Sequence, residues 1–200
     1  ASLDSEVMIW QDNENWSDCC HYGGGLAFGP DGKLYLSTGE EFDGAQAQDL
    51  TRAGGKIIRI NKDGTIPPDN PFVDGEGGNL DEIWALGLRN PYRAYWDIPA
   101  DRLYLSEVGG NIQVTAREDI HVGRKGANYG WPDCEGQCAN DAYDDPIYDY
   151  GHIDGPVEGG AATVGFVYRG GSLPAEYNEA LFFADYAQGF IKYLKFDASG

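Results

Sequence analysis

A histidine followed by a run of glycines is the part of this sequence best suited to chemistry. His21 precedes Tyr22 and then Gly23, Gly24 and Gly25, and glycine lets the flat face of another molecule approach the backbone closely. An imidazole in water titrates near pH ~6.5, so it accepts a proton readily at neutral pH. This pattern makes His21 a candidate general base. The alternative is a histidine that only caps a loop between two strands.

Positioning such a histidine requires ordered turns and strands, and the sequence is rich in signals for both. Twenty-nine glycines and ten prolines separate short apolar runs, as expected of an all-β protein with many tight turns. Helices are expected only as short pieces near residues 45–52 and 175–180. We predict strands over residues 7–10, 26–28, 34–37, 56–60, 83–86, 103–106, 163–168, 181–183 and 190–196.

An apolar triplet with a central aromatic residue recurs along the chain. It reads Leu34-Tyr35-Leu36, Leu103-Tyr104-Leu105 and Leu181-Phe182-Phe183. Strands that repeat in this way, with long loops between them, favour a β-propeller of antiparallel sheets, with a β-sandwich as the alternative. Blades of about 40 to 50 residues predict three to four blades of four strands. We expect residues 1–200 to form part of a single β-propeller domain without a separate second domain, completed by the same or another chain.

The charge of the chain excludes one class of partner. Lysine and arginine total 14 against 33 aspartates and glutamates, which gives a net charge of −19. The resulting field repels nucleic acid and anionic membrane surfaces. No apolar run reaches the ~20 residues needed to span a bilayer. We therefore expect neither a nucleic-acid partner nor a transmembrane segment.

Four cysteines occur as an adjacent pair, Cys19 and Cys20, and a near pair, Cys134 and Cys138. This arrangement suits two local disulfides in an oxidising compartment, although three pairings remain open. A zinc site is the alternative, but adjacent cysteines fit tetrahedral ligation poorly. Disulfides favour an extracellular or periplasmic location.

Several sequence blocks occur in a fixed order over nearly the whole chain. They include His21-Tyr22-Gly23-Gly24, Gly29-Pro30-Asp31-Gly32, Gly55-Lys56-Ile57-Ile58, Gly87-Leu88-Arg89-Asn90-Pro91 and Asn128-Tyr129-Gly130-Trp131-Pro132. In this order they resemble the glucose/sorbosone dehydrogenase family of six-bladed β-propellers, which includes soluble sugar dehydrogenases dependent on pyrroloquinoline quinone (PQQ). The resemblance implies oxidation of an aldose sugar by hydride transfer to the quinone, assisted by calcium. The alternative is a non-catalytic extracellular propeller that binds carbohydrate or protein or assembles a surface structure.

By this resemblance, His21 is the general base and Glu40 is a carboxylate that orients its ring. Glu40 stands where the family commonly has an aspartate, and Cys20 stands where the best-characterised members carry an acidic residue. Arg89 and Asn90 match the pair that contacts the quinone, with a structural Arg-Asn-Pro loop as the alternative. Arg93, four residues further on, we interpret as a surface charge rather than a second cation near the cofactor.

The resemblance also implies a calcium site at the loop that contains Gly109 and Gly110, whose backbone carbonyls would hold the ion beside the quinone. Val108 and Gly110 stand where the family has glutamine and proline. Calcium prefers hard oxygen ligands such as these carbonyls.

A second, structural calcium site is implied by Glu118 and Asp119 with Tyr129 ten residues later, a spacing that the family also shows. A solvated acidic turn is the alternative. His121 and His152 have no second ligand at metal-binding spacing, so we interpret both as hydrogen-bonded polar residues.

Overall fold

The computed structural model describes residues 5–12 and 20–196, and most of its regular structure is antiparallel β-sheet. The first sheet contains β1 (Leu26–Phe28), β2 (Leu34–Thr38), β3 (Lys56–Ile60) and β4 (Ile83–Leu86). The second contains β5 (Arg93–Asp97), β6 (Arg102–Glu107), β7 (Arg117–Gly123) and β8 (Tyr148–Gly151). The third contains β9 (Ala162–Val167), β10 (Leu181–Asp185) and β11 (Phe190–Leu194). Short 3-10 helices lie at Gly44–Gln48, Ile98–Ala100 and Ala175–Tyr177.

Each sheet is a simple meander in which neighbouring strands follow one another along the chain. The first strands of successive sheets contact one another, β1 against β5 and β5 against β9. Sheets whose first strands converge in this way are propeller blades. The predicted all-β propeller with three to four blades is confirmed, since the described residues hold two four-stranded blades and one three-stranded sheet.

The blades are held together by apolar side chains that alternate along β6. Leu103 and Leu105 pack with Trp84 between the first and second sheets. Tyr104, between them in sequence, packs with Phe183 between the second and third sheets. Because successive side chains of a strand point to opposite faces, one apolar triplet serves two cores.

Part of the strand prediction was wrong. Residues 7–10 form no strand, and Val7 and Met8 are 77% and 73% exposed. The strands β5, β7 and β8 were missed. In β7 the buried positions include the polar residues Glu118, Asp119 and His121, which conceal the apolar pattern of a strand. The helices expected near residues 45–52 and 175–180 are the short 3-10 turns Gly44–Gln48 and Ala175–Tyr177.

The cysteines follow the predicted local pattern as far as the structure describes them. Cys134 and Cys138 form a disulfide, which excludes a zinc site at this pair. Cys20 is also disulfide-bonded, while Cys19 lies outside the described residues. Within the described ranges, none of the helices is long and apolar enough to cross a bilayer.

Candidate active site

Three loops meet where β2, β4 and β6 end, and we call this edge of the sheets the His21 end. The backbone N–H of Glu40 donates to the carbonyl of Arg89 at 2.8 Å, and that of Val108 donates to the carbonyl of Asn90 at 3.2 Å. The Arg89 N–H donates to the carboxylate of Glu107. The opposite edge, where β2 begins after Asp31, we call the Asp31 end. The His21 end therefore holds most of the predicted site residues in one connected set of loops.

His21 and Glu40 form a direct pair at this end. His21 Nδ1 lies 2.5 Å from Glu40 Oε1, and the two side chains are 10% and 3% exposed. A carboxylate only accepts hydrogen bonds, so Nδ1 carries the proton and Nε2 presents its lone pair. The ring also packs on Phe42, with 4.0 Å between the ring centroids. The imidazole is thus fixed in one tautomer and one orientation.

The backbone around His21 is left-handed, a conformation that residues other than glycine rarely adopt. His21, Glu41 and Phe42 have φ values of 64°, 53° and 66°. Left-handed non-glycine residues of this kind persist only where the surroundings enforce them, and they cluster at functional sites. At Gly39, a Cβ atom would lie 1.9 Å from the His21 carbonyl oxygen, so only glycine allows the two loops to meet.

Arg89 lies behind this pair rather than on an open surface, since the residue is only 3% exposed. Its Nη1 donates to the Val108 carbonyl at 3.1 Å and its Nη2 to Asn111 Oδ1 at 2.8 Å. Its Nε lies 4.0 Å from Glu40 Oε1, and the guanidinium stacks 5.4 Å over Trp131. Burial lowers the pKa of Arg89, against the opposing effect of Glu40. Arg89 therefore lies between Glu40 and the loop that follows β6, hydrogen-bonded to that loop and in a long ion pair with Glu40.

Asn90 faces the open side of the same loop. Its Oδ1 accepts a hydrogen bond from the Gly23 N–H at 3.1 Å, which ties it to the loop that carries His21. Asn90 also lines a cleft of about 600 Å³ between the second and third sheets, a volume typical of small-molecule sites. Other residues lining the cleft are Tyr92, Arg93, Val108, Ala161, Thr163 and Tyr186.

The loop that contains Gly109 and Gly110 is held by its amides. The Gly109 N–H donates to Glu118 Oε1 at 2.9 Å, and the Gly110 N–H donates to Glu135. Within the part of the chain that the structure describes, the carbonyl oxygens of both glycines accept no hydrogen bond. Free backbone carbonyls are ligands that calcium accepts, so this loop fits the predicted ion.

The structure separates Glu118 from Asp119, which were predicted to share one calcium site. They are successive residues of β7 and therefore point to opposite faces of the sheet. Glu118 is fully buried, and its carboxylate accepts from His152 Nε2 at 2.7 Å and from the Ala162 N–H at 2.6 Å. Asp119 instead lines a cavity of about 10 Å³ together with Tyr129.

Asp119 lies close to His121, which we interpreted from the sequence as a hydrogen-bonded polar residue and not as a metal ligand. Glu107, Asp119 and His121 each offer a ligand atom, and these atoms lie within 4.8 Å of one another. The expectation that His121 has no second ligand at metal spacing was therefore wrong. The cause is strand pairing, because Glu107 lies opposite Asp119 across β6 and β7, and His121 follows on the same face. Burial raises the pKa of Asp119 to about 7.

A signal for this cluster was present in the sequence. Asp119 and His121 are two residues apart, which places them on one face of a strand. Recognising the strand was the missing step, since pairing of β7 with β6 then brings Glu107 beside them. The ring of Tyr129 packs on His121 with 4.5 Å between centroids. Burial raises the pKa of the Tyr129 hydroxyl.

Comparison with known proteins gives a family match over nearly the entire chain. The family described as Glucose / Sorbosone dehydrogenase matches residues 1–198. The Aldose sugar dehydrogenase YliI of Escherichia coli is 39% identical over 112 residues, which cover 56% of this chain and 29% of that protein.

The fold is shared with solved structures of sugar dehydrogenases, among them two aldose sugar dehydrogenases. The PQQ-bound form of an aldose sugar dehydrogenase from Streptomyces coelicolor is 27% identical with a TM-score of 0.70, over 90% of this chain and 46% of that one. The apo-form of the soluble aldose sugar dehydrogenase from Escherichia coli is 26% identical with a TM-score of 0.78, over 95% and 55%. The chain thus spans about half the length of these structures.

Proposed function

Since this chain belongs to the glucose/sorbosone dehydrogenase family, we propose that it supplies the general base and part of the cofactor cleft of a PQQ-dependent aldose dehydrogenase. The observation that carries the proposal is the pairing of His21 Nδ1 with Glu40 Oε1 at 2.5 Å. This pair sits in loops whose backbone conformation is rare, close to a cleft large enough for a small molecule.

The proton step follows from the tautomer of His21. Glu40 keeps the proton of the ring on Nδ1, so Nε2 takes the proton of the sugar's anomeric hydroxyl group. The imidazolium that forms is stabilised by the carboxylate of Glu40, while Arg89 at 4.0 Å balances the charge of that carboxylate. The role of Glu40 is thus to orient the ring and to offset its positive charge.

The quinone, when bound, would accept the hydride that leaves the sugar carbon as the hydroxyl proton is removed. Asn90 is placed to orient it, because the residue lines the cleft while its Oδ1 is anchored to the Gly23 N–H. Arg89 is buried and bonded within the protein, so it contributes positive charge beneath the cleft. The carbonyls of Gly109 and Gly110 would hold calcium, which adds further positive charge.

The cluster of Asp119 and Tyr129 is the better candidate for the second calcium site. Both residues line the same small cavity, whereas the carboxylate of Glu118 already accepts hydrogen bonds from His152, Gly109 and Ala162. We assign Glu118 to holding the Gly109 loop in place. This assignment keeps Asp119 as a predicted ligand, beside Glu107 and His121, and gives Glu118 a positioning role. Tyr129 lines the cavity, but its hydroxyl already donates to the Val122 carbonyl and accepts from the Arg124 N–H.

The setting of the proposed enzyme is outside the cytoplasm. The Cys134–Cys138 disulfide supports an oxidising compartment, either periplasmic or extracellular. Because the chain spans about half the length of the solved relatives, the remaining blades would come from the same or another chain. They would supply the further cations that a tricarboxylate cofactor requires.

Reconstitution of the full-length protein tests the proposal. With PQQ and calcium, it should reduce a redox dye when supplied with aldoses, and His21→Ala should lower kcat by about 10²–10⁴-fold because it removes the base. Asp31→Asn, at the opposite end of the sheets, is the matched control and should leave kcat unchanged. Absence of dye reduction with a broad panel of aldoses would reject the proposal, and sugar binding without turnover would favour the non-catalytic propeller.

A further inference from the structure

The cleft beside Asn90 contains an arginine that the sequence interpretation treated as a surface charge. Arg93 begins β5, the innermost strand of the second sheet, and lines the cleft of about 600 Å³. The cleft opens at the His21 end, because Val108 follows β6 there and Tyr186 follows β10 on the facing sheet. Arg93 therefore lies in the space next to the catalytic loops.

The guanidinium of Arg93 is available to a ligand. Six of the eight arginines in the sequence lie within 4.0 Å of a carboxylate, namely Arg52, Arg59, Arg89, Arg117, Arg124 and Arg169. Arg102 stacks over Phe196. Over residues 5–12 and 20–196, the side chain of Arg93 has no ion pair, hydrogen bond or ring contact.

The lining of the cleft adds to this availability. No aspartate or glutamate of the described residues lines it, although the chain carries a net charge of −19. An unpaired guanidinium in a concave site without acidic neighbours attracts carboxylates, which it binds in a two-pronged geometry. The exposed rings of Tyr92 and Tyr186, 55% and 90% exposed, offer flat apolar surfaces beside it.

We propose that Arg93 binds a carboxylate of the quinone cofactor, an inference that rests on the proposed function and adds to the Arg89 and Asn90 pair that the resemblance implies. A planar ring acid matches the three features of the cleft. Arg93 receives the carboxylate, Asn90 hydrogen-bonds the ring system, and the tyrosines pack on its faces. Arg93 is thereby a further cation that contacts the cofactor, and Arg89 adds buried positive charge nearby.

Equilibrium binding of PQQ to the full-length protein, followed by quenching of intrinsic fluorescence, tests the inference without turnover. Arg93→Gln should raise Kd by about 10- to 100-fold, the range of a charge-assisted hydrogen-bond pair. The Kd of Arg93→Lys should lie between those of wild type and Arg93→Gln, because lysine keeps the charge and loses the planar fork of the guanidinium. Arg124→Gln, which removes an exposed arginine paired with Asp144, is the matched control and should bind as wild type does.

The trimethyl ester of PQQ identifies the contacted group. Wild type should bind the ester more weakly than the acid, and the loss should be about 10-fold smaller in Arg93→Gln, since the partner of the carboxylate is already gone. Equal Kd values for wild type and Arg93→Gln, or equal losses with the ester, would overturn the inference alone. Failure of wild type to bind PQQ at all would overturn the proposed function together with it.

Discussion

Arg59 at the Asp31 end and Glu40 at the His21 end are both buried charged residues, but their surroundings differ. The guanidinium of Arg59 donates to Asp31, Asp69 and Asn70 at distances of 2.8 to 3.3 Å. The carboxylate of Glu40 has one close partner, His21, and its second oxygen has no hydrogen-bond partner among the described residues. The charge of Arg59 is therefore fully bonded, whereas Glu40 keeps one unused oxygen.

The same contrast extends over both ends. Among the described residues, six buried side-chain atoms have no hydrogen-bond partner, and five of them lie at the His21 end, on Glu40, Asp119, His121, Trp131 and His152. The sixth, on Trp96, lies at the Asp31 end, in a pocket that Asp31 and Arg59 also line. Each unpaired buried group costs about 1–3 kcal/mol, so a fold selected only for stability would pair them. The Asp31 end is mostly bonded, and the His21 end concentrates the unpaired polar atoms, as expected of a ligand site.

The largest expected effect is on catalysis. Glu40→Gln keeps the shape of the side chain but removes the charge that offsets the His21 imidazolium, so kcat of the PQQ-loaded protein should fall by about 10²–10³-fold. The melting temperature should change little, because the variant no longer buries an incompletely paired carboxylate. A variant with normal kcat and lowered stability would mean that Glu40 acts as Arg59 does, and the contrast between the ends would fail.

The next effect is on stability alone. Arg59→Met leaves Asp31 and Asp69 without their partner, and we expect the free energy of unfolding to fall by about 2–3 kcal/mol, less than for a fully buried pair because both carboxylates contact water. Urea denaturation measures the change, and Arg124→Met, which removes an exposed pair, should cost under about 0.5 kcal/mol. A large loss of kcat per folded molecule in Arg59→Met would show that the two ends are not independent.

The smallest effect concerns pH. Burial acts to raise the pKa of Asp31, but hydrogen bonds from Arg59, the Lys33 N–H and Tyr35 outweigh it and hold the pKa below 3.8. The folded state therefore favours the carboxylate. Its contribution to stability is present above pH 3.8 and disappears as pH falls through the folded pKa. Unfolding free energies from pH 6 to pH 2 should show the gap between wild type and Arg59→Met narrowing. A stability difference between wild type and Arg59→Met that does not change with pH would contradict a lowered pKa of Asp31 in the folded state.

The sequence predicts the elements whose residues have one role. The apolar strands β2, β3 and β6 are evident from composition, because their burial requires nothing beyond apolar side chains and turns. The repeated triplet favours a propeller over a sandwich. The pairing of His21 with Glu40 depends on the family resemblance, since Glu40 lies 19 residues away and reaches His21 only after β1 and β2 pair.

The parts that the sequence did not predict are those where burial and charge coincide. β7 was missed because its buried residues are acids and a histidine, and with it the approach of Glu107, Asp119 and His121. The availability of Arg93 was equally hidden, because the sequence does not show which arginines find carboxylates after folding. In both cases the deciding contacts join residues that are distant in sequence and meet only in the folded structure.

Arg89 connects the loop that carries Glu40 with the loop that contains Gly109 and Gly110, so a change in one loop is felt in the other. One guanidinium lies 4.0 Å from Glu40 and donates to both the Val108 carbonyl and Asn111, on either side of Gly109 and Gly110. A ligand that shifts this segment therefore also moves positive charge relative to the His21–Glu40 pair. Thermodynamic reciprocity requires the coupling to run both ways, so a molecule that binds at the His21–Glu40 pair changes affinity for that ligand by the same factor by which the ligand changes affinity at the pair.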